Sequence, residues 1–175
     1  MPHPIRLYGD PILRGHAREV EHFDEDLRAF AEEMIESMRA GEGIGLAAPQ
    51  VGRSIRLIVV EAEAVGEDVE EPRVLVNPEI VALSKERTLF EEGCLSIPGV
   101  RADVERPDAI TIRFRTTDGK TAKERAEGLY ARVLQHEIDH LNGKLFIDHL
   151  GMAERNLLRK KLREIRERAA EVPRS

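Results

Sequence analysis

The 175-residue chain is 41% hydrophobic and 34% charged, an ordinary globular composition that excludes disordered and fibrous classes and predicts one domain. Its net charge of −6 argues against a general nucleic-acid binder, and its single cysteine excludes an intrachain disulfide and favours a reducing compartment. Because the sequence shows no apolar signal region and no run long enough to span a membrane, we expect a soluble, cytoplasmic protein.

The first third of the chain predicts a helix, a glycine-rich loop and a strand. Apolar residues recur at helical spacing over residues 24–39, and Asp24 is suited to cap the N-terminus of this helix. The glycine-rich run 41–52 follows, and then a strand over 55–61. The acidic run 61–72 is predicted to be a surface loop.

The middle of the chain predicts β-structure. Strand-like runs cover 73–83 and 87–97, each with an expected break at a proline or glycine. Residues 109–116 alternate between apolar and polar side chains, which is typical of a half-buried strand. An Asp-Gly turn then leads to a partner strand over 120–126.

The remaining sequence predicts two helices, over about 127–142 and 153–170. The order of helix, strands and helices favours an α+β fold with mostly antiparallel sheets around the second helix and a C-terminal helix beyond it. We expect a catalytic domain over residues 1–150 and a basic amphipathic helix over 151–175 packed on the same domain. The apolar residues expected to pack are Leu157, Leu158, Leu162 and Ile165.

The second predicted helix carries an H-E-x-x-H pattern from His136 to His140. The two histidines lie on one helix face, so both imidazoles can bind one metal ion while Glu137 reaches a water beside it. Leu129 and Val133 project from the same face and would form an apolar floor. A second apolar stripe predicts that the helix is largely buried; it consists of Tyr130, Leu134, Ile138 and Leu141. Only one arc of the helix is expected to be solvated, with Ala131, Arg132, Gln135, Asp139 and Asn142.

What completes this site is open from the helix alone. The metzincin proteases have a third histidine at the position of Phe146, so this class fails at a ligand. The only cysteine, Cys94, stands where a strand meets a glycine, and it is either a ligand or an inert small hydrophobe. A metalloprotease or other amidase with a downstream ligand is the alternative, and its candidate ligands are Asp148, His149, Glu154 and Glu164.

The glycine-rich loop also has two interpretations. Residues 43–48 fit the G-x-G-x-x-G/A dinucleotide pattern, but they follow a predicted helix and no βαβ unit surrounds them. Alternatively, the glycines let the backbone approach a substrate closely while Gln50 presents its amide.

Three segments together resemble the bacterial peptide deformylases. The family motifs G-x-G-x-A-A-x-Q, E-G-C-L-S and H-E-x-D-H stand in full and in order at 43–50, 92–96 and 136–140. The start of the chain is also similar, and the resemblance covers roughly residues 5–165. It implies a metal-dependent hydrolase that removes the formyl group from N-formylmethionyl nascent peptides and releases formate.

The resemblance also implies residue roles. Glu137 would be the general acid–base, and the Gln50 amide with the Leu95 backbone N–H would stabilise the oxyanion. Arg132 falls where many relatives carry an apolar residue, and we expect it to cap the substrate pocket from the solvent edge. The implied metal ligands are Cys94, His136 and His140. The implied substrate-binding residues are Ile44, Gly45, Phe90, Arg101, Leu129 and Val133.

The cofactor and partners follow from the same resemblance. One divalent ion is expected. The resemblance implies Fe(II), which many family members use, although a thiolate with two imidazoles also suits Zn, Ni or Co. Residues 151–175 hold six Arg and two Lys against four Glu, a net charge of +4 on an otherwise acidic chain. Because family members are thought to dock through this helix, we expect the ribosome as a partner. A binding protein with a dead metal site is disfavoured, since both Glu137 and Gln50 are present.

Overall fold

A computed structural model describes residues 1–171 and confirms the predicted α+β fold with antiparallel sheets and a C-terminal helix. The helices are α1 (Glu25–Ala40), α2 (Ala62–Val65), α3 (Gly128–Leu141) and α4 (Met152–Glu171), with 3-10 turns at Pro11–Arg14, Ala48–Val51 and Phe146–His149. The strands are β1 (Gly45–Ala47), β2 (Leu57–Val60), β3 (Arg73–Leu83), β4 (Arg87–Cys94), β5 (Ile97–Pro107), β6 (Ala109–Arg115) and β7 (Thr121–Glu127).

The strands form one sheet and one separate hairpin. The five-stranded sheet has the order β1-β2-β3-β6-β7, and β4 pairs with β5 alone. Side chains of β2 alternate between the sheet faces: Ile58 and Val60 join the core that contains α3, and Leu57 and Val59 join the core that contains α1. The sheet is thus packed between α1 and α3, and the hairpin lies at the other side of α3.

The helix boundaries agree with the sequence-based prediction. The Asp24 carboxylate accepts a hydrogen bond from the Leu27 backbone N–H at 3.0 Å, which caps α1. Helix α3 spans Gly128–Leu141 and is flanked by Glu127 and Asn142, close to the predicted bounds. The hairpin turn before β7 is also confirmed, with Gly119 at φ +86°.

Two expectations about loops and breaks were wrong. The run 61–72 contains the short helix α2, which buries Ala62 and Ala64. Strand β3 continues through Pro78, because a bulge at this point accommodates the missing N–H donor. Asn77 has φ +50° there, and its amide makes hydrogen bonds to both the N–H and the carbonyl of Val20.

The C-terminal helix packs on the hairpin side of the protein through one stripe. Leu162 and Ile165 are buried and Leu158 is partly buried against this core. Leu157 is 86% exposed, so its predicted packing was wrong: it lies on the outer face of α4. Residues 172–175 of the predicted basic segment lie outside the described residues, and the division at residue 150 stays a prediction. Within residues 1–171, no helix combines the length and apolar character that crossing a membrane requires.

Helix α3 is largely buried, as predicted, but most of the arc that was expected to be solvated is enclosed too, and only Asp139 and Asn142 on it are half-buried. Ala131 is fully buried against the sheet, and Arg132 and Gln135 are only 7% and 5% exposed. The β4–β5 hairpin covers the arc of α3 that was expected to be solvated. Gln135 donates to the carbonyl of Pro107, the last residue of β5, at 3.0 Å. The wheel pattern missed this because the covering strands lie far away in sequence.

Candidate active site

The predicted ligand side chains meet at one point. The hairpin turn presents Cys94, and α3 presents His136 and His140 one turn apart, with one potential ligand atom from each residue within 4.8 Å of the others. The Cys94 Sγ lies 3.4 Å from His140 Nε2. Among residues 1–171, this trio is the one group of three His, Cys, Asp or Glu side chains close enough together to hold a metal ion.

The surroundings of the two imidazoles fit a metal ion. The Nδ1 of His136 lies 2.9 Å from a carboxylate oxygen of Glu92, which leaves the other ring nitrogen, Nε2, to bind a metal ion. Burial lowers the pKa of His136, but the negative charges of Glu137, Cys94 and Glu92 outweigh it and raise this pKa well above its ordinary value. The site therefore favours positive charge. Burial and His136 lower the pKa of His140, so this ring is neutral, as a metal ligand must be.

Glu137 lies between the two histidines in sequence and beside them in the cleft. Its side chain is buried, and its Oε1 finds no hydrogen-bond partner within the described chain. Burial raises the pKa of Glu137 to about 7. A carboxyl group with this pKa can both accept and return a proton near neutral pH.

The glycine-rich loop brings backbone against Glu137. A Cβ atom on Gly45 would lie 2.7 Å from Glu137 Oε2 and 2.7 Å from Val133 Cγ1, so only glycine fits without a shift. The loop forms the edge strand β1 and follows α1, which rules against the dinucleotide interpretation. The close approach of the loop backbone to Glu137 agrees with the other interpretation, in which the glycines let the backbone come near a substrate.

Gln50 is held beside the thiol at both ends of its amide. The Oε1 accepts from the Ala47 backbone N–H at 3.0 Å. The Nε2 donates to Ser96 Oγ at 3.0 Å and lies 3.4 Å from Cys94 Sγ. These contacts fix an amide N–H at the rim of the candidate metal site. Ser96, which belongs to the second motif, was not singled out from the sequence.

The expected substrate-binding residues surround one cleft of about 650 Å³ in front of these groups. Arg101 is exposed and donates to Glu91 at 2.8 Å. His140 lies behind the cleft wall with 1% exposure. The predicted residues that line the cleft are Ile44, Gly45, Gln50, Phe90, Cys94, Leu95, Arg101, Leu129, Arg132, Val133, His136 and Glu137.

The downstream ligand candidates do not join this group. Phe146 stacks on the His136 ring, with centroids 6.1 Å apart. Asp148 pairs with Arg14 at 2.6 Å, and His149 binds Asp139 at 2.8 Å. Glu154 and Glu164 lie exposed on α4. The cysteine is therefore the side chain that completes the group.

A thiolate and two imidazoles with a buried carboxylate beside them are the side chains of a metal-dependent hydrolase. The polypeptide deformylase family matches residues 2–156 of this chain. The chain therefore belongs to the polypeptide deformylase family.

Individual relatives agree with this assignment. A peptide deformylase of Brucella suis is 46% identical over 162 residues, which cover 93% of this chain and 92% of that protein. The crystal structure of the Thermus thermophilus enzyme matches with a TM-score of 0.88 and 40% identity, covering 96% of this chain and 99% of that one. The Thermotoga maritima enzyme matches with a TM-score of 0.81 and 44% identity, covering 86% of this chain and 99% of that one.

Sequence reasoning missed the charged network behind the candidate ligands. Glu92 accepts from Arg106 at 2.6 and 3.0 Å, in addition to its contact with His136. Arg106 also donates to Asp139 at 3.0 Å. Burial raises the pKa of Glu92, but the hydrogen bonds from His136 and Arg106 outweigh it and hold this pKa well below its ordinary range. An acidic residue directly before the Gly-Cys pair was the one sequence signal that could have indicated this partner.

Proposed function

We propose that this deformylase acts through a metal ion on Cys94, His136 and His140, with Glu137 as its general acid–base. Peptide deformylases remove the N-formyl group from nascent peptides by hydrolysis, and so does this family member. The observation that carries the proposal is the convergence of one thiol and two imidazoles beside a buried, unpaired carboxylate. Fe(II) is our proposal for the native ion on the family resemblance; the ligand set also suits Zn, Ni and Co.

A divalent ion bound here would supply Lewis-acid chemistry by lowering the pKa of water and polarising the formyl carbonyl. Glu137 takes a proton from the water while the water oxygen bonds to the formyl carbon. The carbon–nitrogen bond then breaks, and Glu137 returns the proton to the departing amine. The products are formate and a free N-terminal methionine.

Other residues bind and orient the substrate. The Gln50 Nε2 and the Leu95 backbone N–H donate to the oxygen that gains negative charge. Gly45 and Arg101 contact the peptide backbone. The methionine side chain enters the apolar part of the cleft, which consists of Ile44, Phe90, Leu129 and Val133.

The test is formate release from formyl-Met-Ala-Ser by protein purified without air. We expect turnover with this peptide and no cleavage of casein. Casein cleavage without formate release would instead support the metalloprotease alternative. Metal analysis of the same preparation should find about one iron per chain.

Cobalt substitution tests the thiolate ligand. We expect the Co(II) protein to show a sulfur-to-metal charge-transfer band in the near ultraviolet, because the ligand set contains one thiolate. The Cys94→Ala protein should lack this band. An absent band in the natural sequence, or an unchanged band in the variant, would remove Cys94 from the ligands.

We also propose that α4 docks on the ribosome, so that the enzyme acts in the cytoplasm on emerging chains. A cleft of about 360 Å³ lies between Tyr8 and this helix, and it is lined by Arg155, Arg159, Arg163 and Arg166. Guanidinium groups at this spacing suit RNA phosphates. Binding would release counterions, so its affinity should fall steeply with salt.

Two exposed arginines of this cleft provide the test. Arg159→Gln with Arg163→Gln should weaken ribosome co-sedimentation and lower the slope of log affinity against log salt by about 2. Activity on a short formyl peptide should be unchanged. The control pair is Arg113→Gln with Arg125→Gln, two exposed arginines on the sheet. Equal co-sedimentation of the two pairs would refute docking through α4.

A further inference from the structure

Arg132 is a buried arginine beside the substrate cleft with no role in the reaction described above. Its side chain leaves α3 and is only 8% exposed. Its Nη1 donates to Glu92 Oε2 at 2.6 Å and to the Val104 carbonyl at 2.9 Å. Its Nη2 donates to the Thr88 carbonyl at 2.9 Å. The solvent-edge position expected from the helix wheel is therefore wrong, because the hairpin covers this part of α3.

These contacts join the two elements that carry the candidate ligands. Thr88 lies on β4 and Val104 on β5, so one guanidinium from α3 binds both strands of the hairpin. The turn of the same hairpin presents Cys94, the last residue of β4, while α3 carries both histidines. The distance between the thiol and the imidazoles thus depends on how the hairpin sits on the helix. A planar fork of donors is suited to hold such a junction, because it fixes several acceptors at once.

Arg132 also completes the partners of Glu92. Two guanidiniums, those of Arg106 and Arg132, donate to this carboxylate, whose side chain is 5% exposed and which contacts His136 Nδ1. Arg106 is shared with Asp139. Without Arg132, a single guanidinium would face the buried carboxylate of Glu92 and the half-buried carboxylate of Asp139, and Glu92 could turn away from the imidazole that it orients. A buried ionised group tolerates the loss of a partner poorly.

We propose that Arg132 is a positioning residue of the metal centre. It holds Glu92 against His136 and fixes the hairpin that carries Cys94 on α3. The inference rests on the proposed metal function, because its effect is on metal affinity and ligand geometry. The guanidinium also lies 5.4 Å from the Phe90 ring, so the same residue stiffens one wall of the cleft.

The primary test is Arg132→Met, which keeps the apolar stem and removes every donor. We expect the affinity for Zn(II), measured by competition with a chelator, to fall by about 10- to 100-fold, the usual cost of losing an outer-shell partner. The visible spectrum of the Co(II) protein should shift as the ligands rearrange. The matched control is Arg87→Met, which removes a half-exposed arginine of the same hairpin that pairs with Glu105 and does not touch Glu92. This control should bind metal as the natural sequence does.

A double-mutant cycle tests whether the effect passes through Glu92. If it does, Arg132→Met should change the affinity by less than about twofold in a Glu92→Gln background, because the two losses are not additive. Fully additive losses would overturn the proposed route. If Arg132→Met does not fold, Arg132→Lys carries the test, since its ammonium can face Glu92 but cannot reproduce the fork; we expect a smaller loss of affinity.

The outcomes separate the two proposals. Metal affinity and Co(II) spectrum equal to those of the natural sequence, in Arg132→Met or in its lysine substitute, would overturn the positioning role. Failure of the unaltered chain to bind metal would refute the proposed function instead.

Discussion

Glu137→Gln is expected to leave a folded protein that binds metal and has lost most of its turnover. The amide has the shape of the carboxylate, and Oε1 of Glu137 makes no hydrogen bond within the described residues that the exchange would break. Burial already disfavours the ionised carboxylate and raises its pKa to about 7, so a neutral side chain is well tolerated there. An amide cannot take up or return the proton, and kcat should fall by about 10² to 10⁴.

The measurement is steady-state formate release together with metal content per chain. Glu79→Gln is the matched control, because Glu79 is an exposed carboxylate on β3 that pairs with Arg113 far from the cleft. A Glu137→Gln protein with full metal occupancy and a rate near that of the control would remove Glu137 from the mechanism. Loss of the metal would show instead that the carboxylate supports the ligand site.

Local patterns predicted the parts of the site that lie on one helix or in one short motif. The spacing of His136 and His140 within a helix places both imidazoles on one face, whatever surrounds that helix. Helix α1 was equally predictable, because its apolar period and its Asp24 cap are local features. The histidine pair alone did not identify the third candidate ligand. The structure brings Cys94 to it from a distant hairpin.

The rest depends on packing between segments that are far apart in sequence. Strand β5 was not predicted, since it contains Pro98 and Gly99 and buries its residues irregularly against β4 and α4. Because β5 was not predicted, none of the predicted elements covered the outer side of α3, and Arg132 was placed on a solvated arc. The network around Glu92 was missed for the same reason: its members come from three elements, β4, β5 and α3, that meet only in the folded protein.

Gln50→Leu is expected to lower kcat by about 10² to 10³. Both ends of the amide are already fixed in the folded protein: Oε1 accepts from Ala47, and Nε2 donates to Ser96 while lying 3.4 Å from the Cys94 sulfur. The Nε2 has two hydrogens, so one can serve Ser96 while the other faces the candidate metal site. A preorganised donor stabilises charge that develops during the reaction without first reorienting, and leucine offers no donor.

The measurement is kcat and KM per bound metal, because Gln50 also contacts the thiol. Gln135→Leu is the matched control: the amide of Gln135 is buried on α3 and donates to the Pro107 and Ala131 carbonyls, so its loss reports the cost of a buried amide outside the cleft. We expect the control to lose stability while its kcat stays normal. If Gln50→Leu changed KM alone, the amide would bind the ground state as strongly as the transition state and would not be an oxyanion donor.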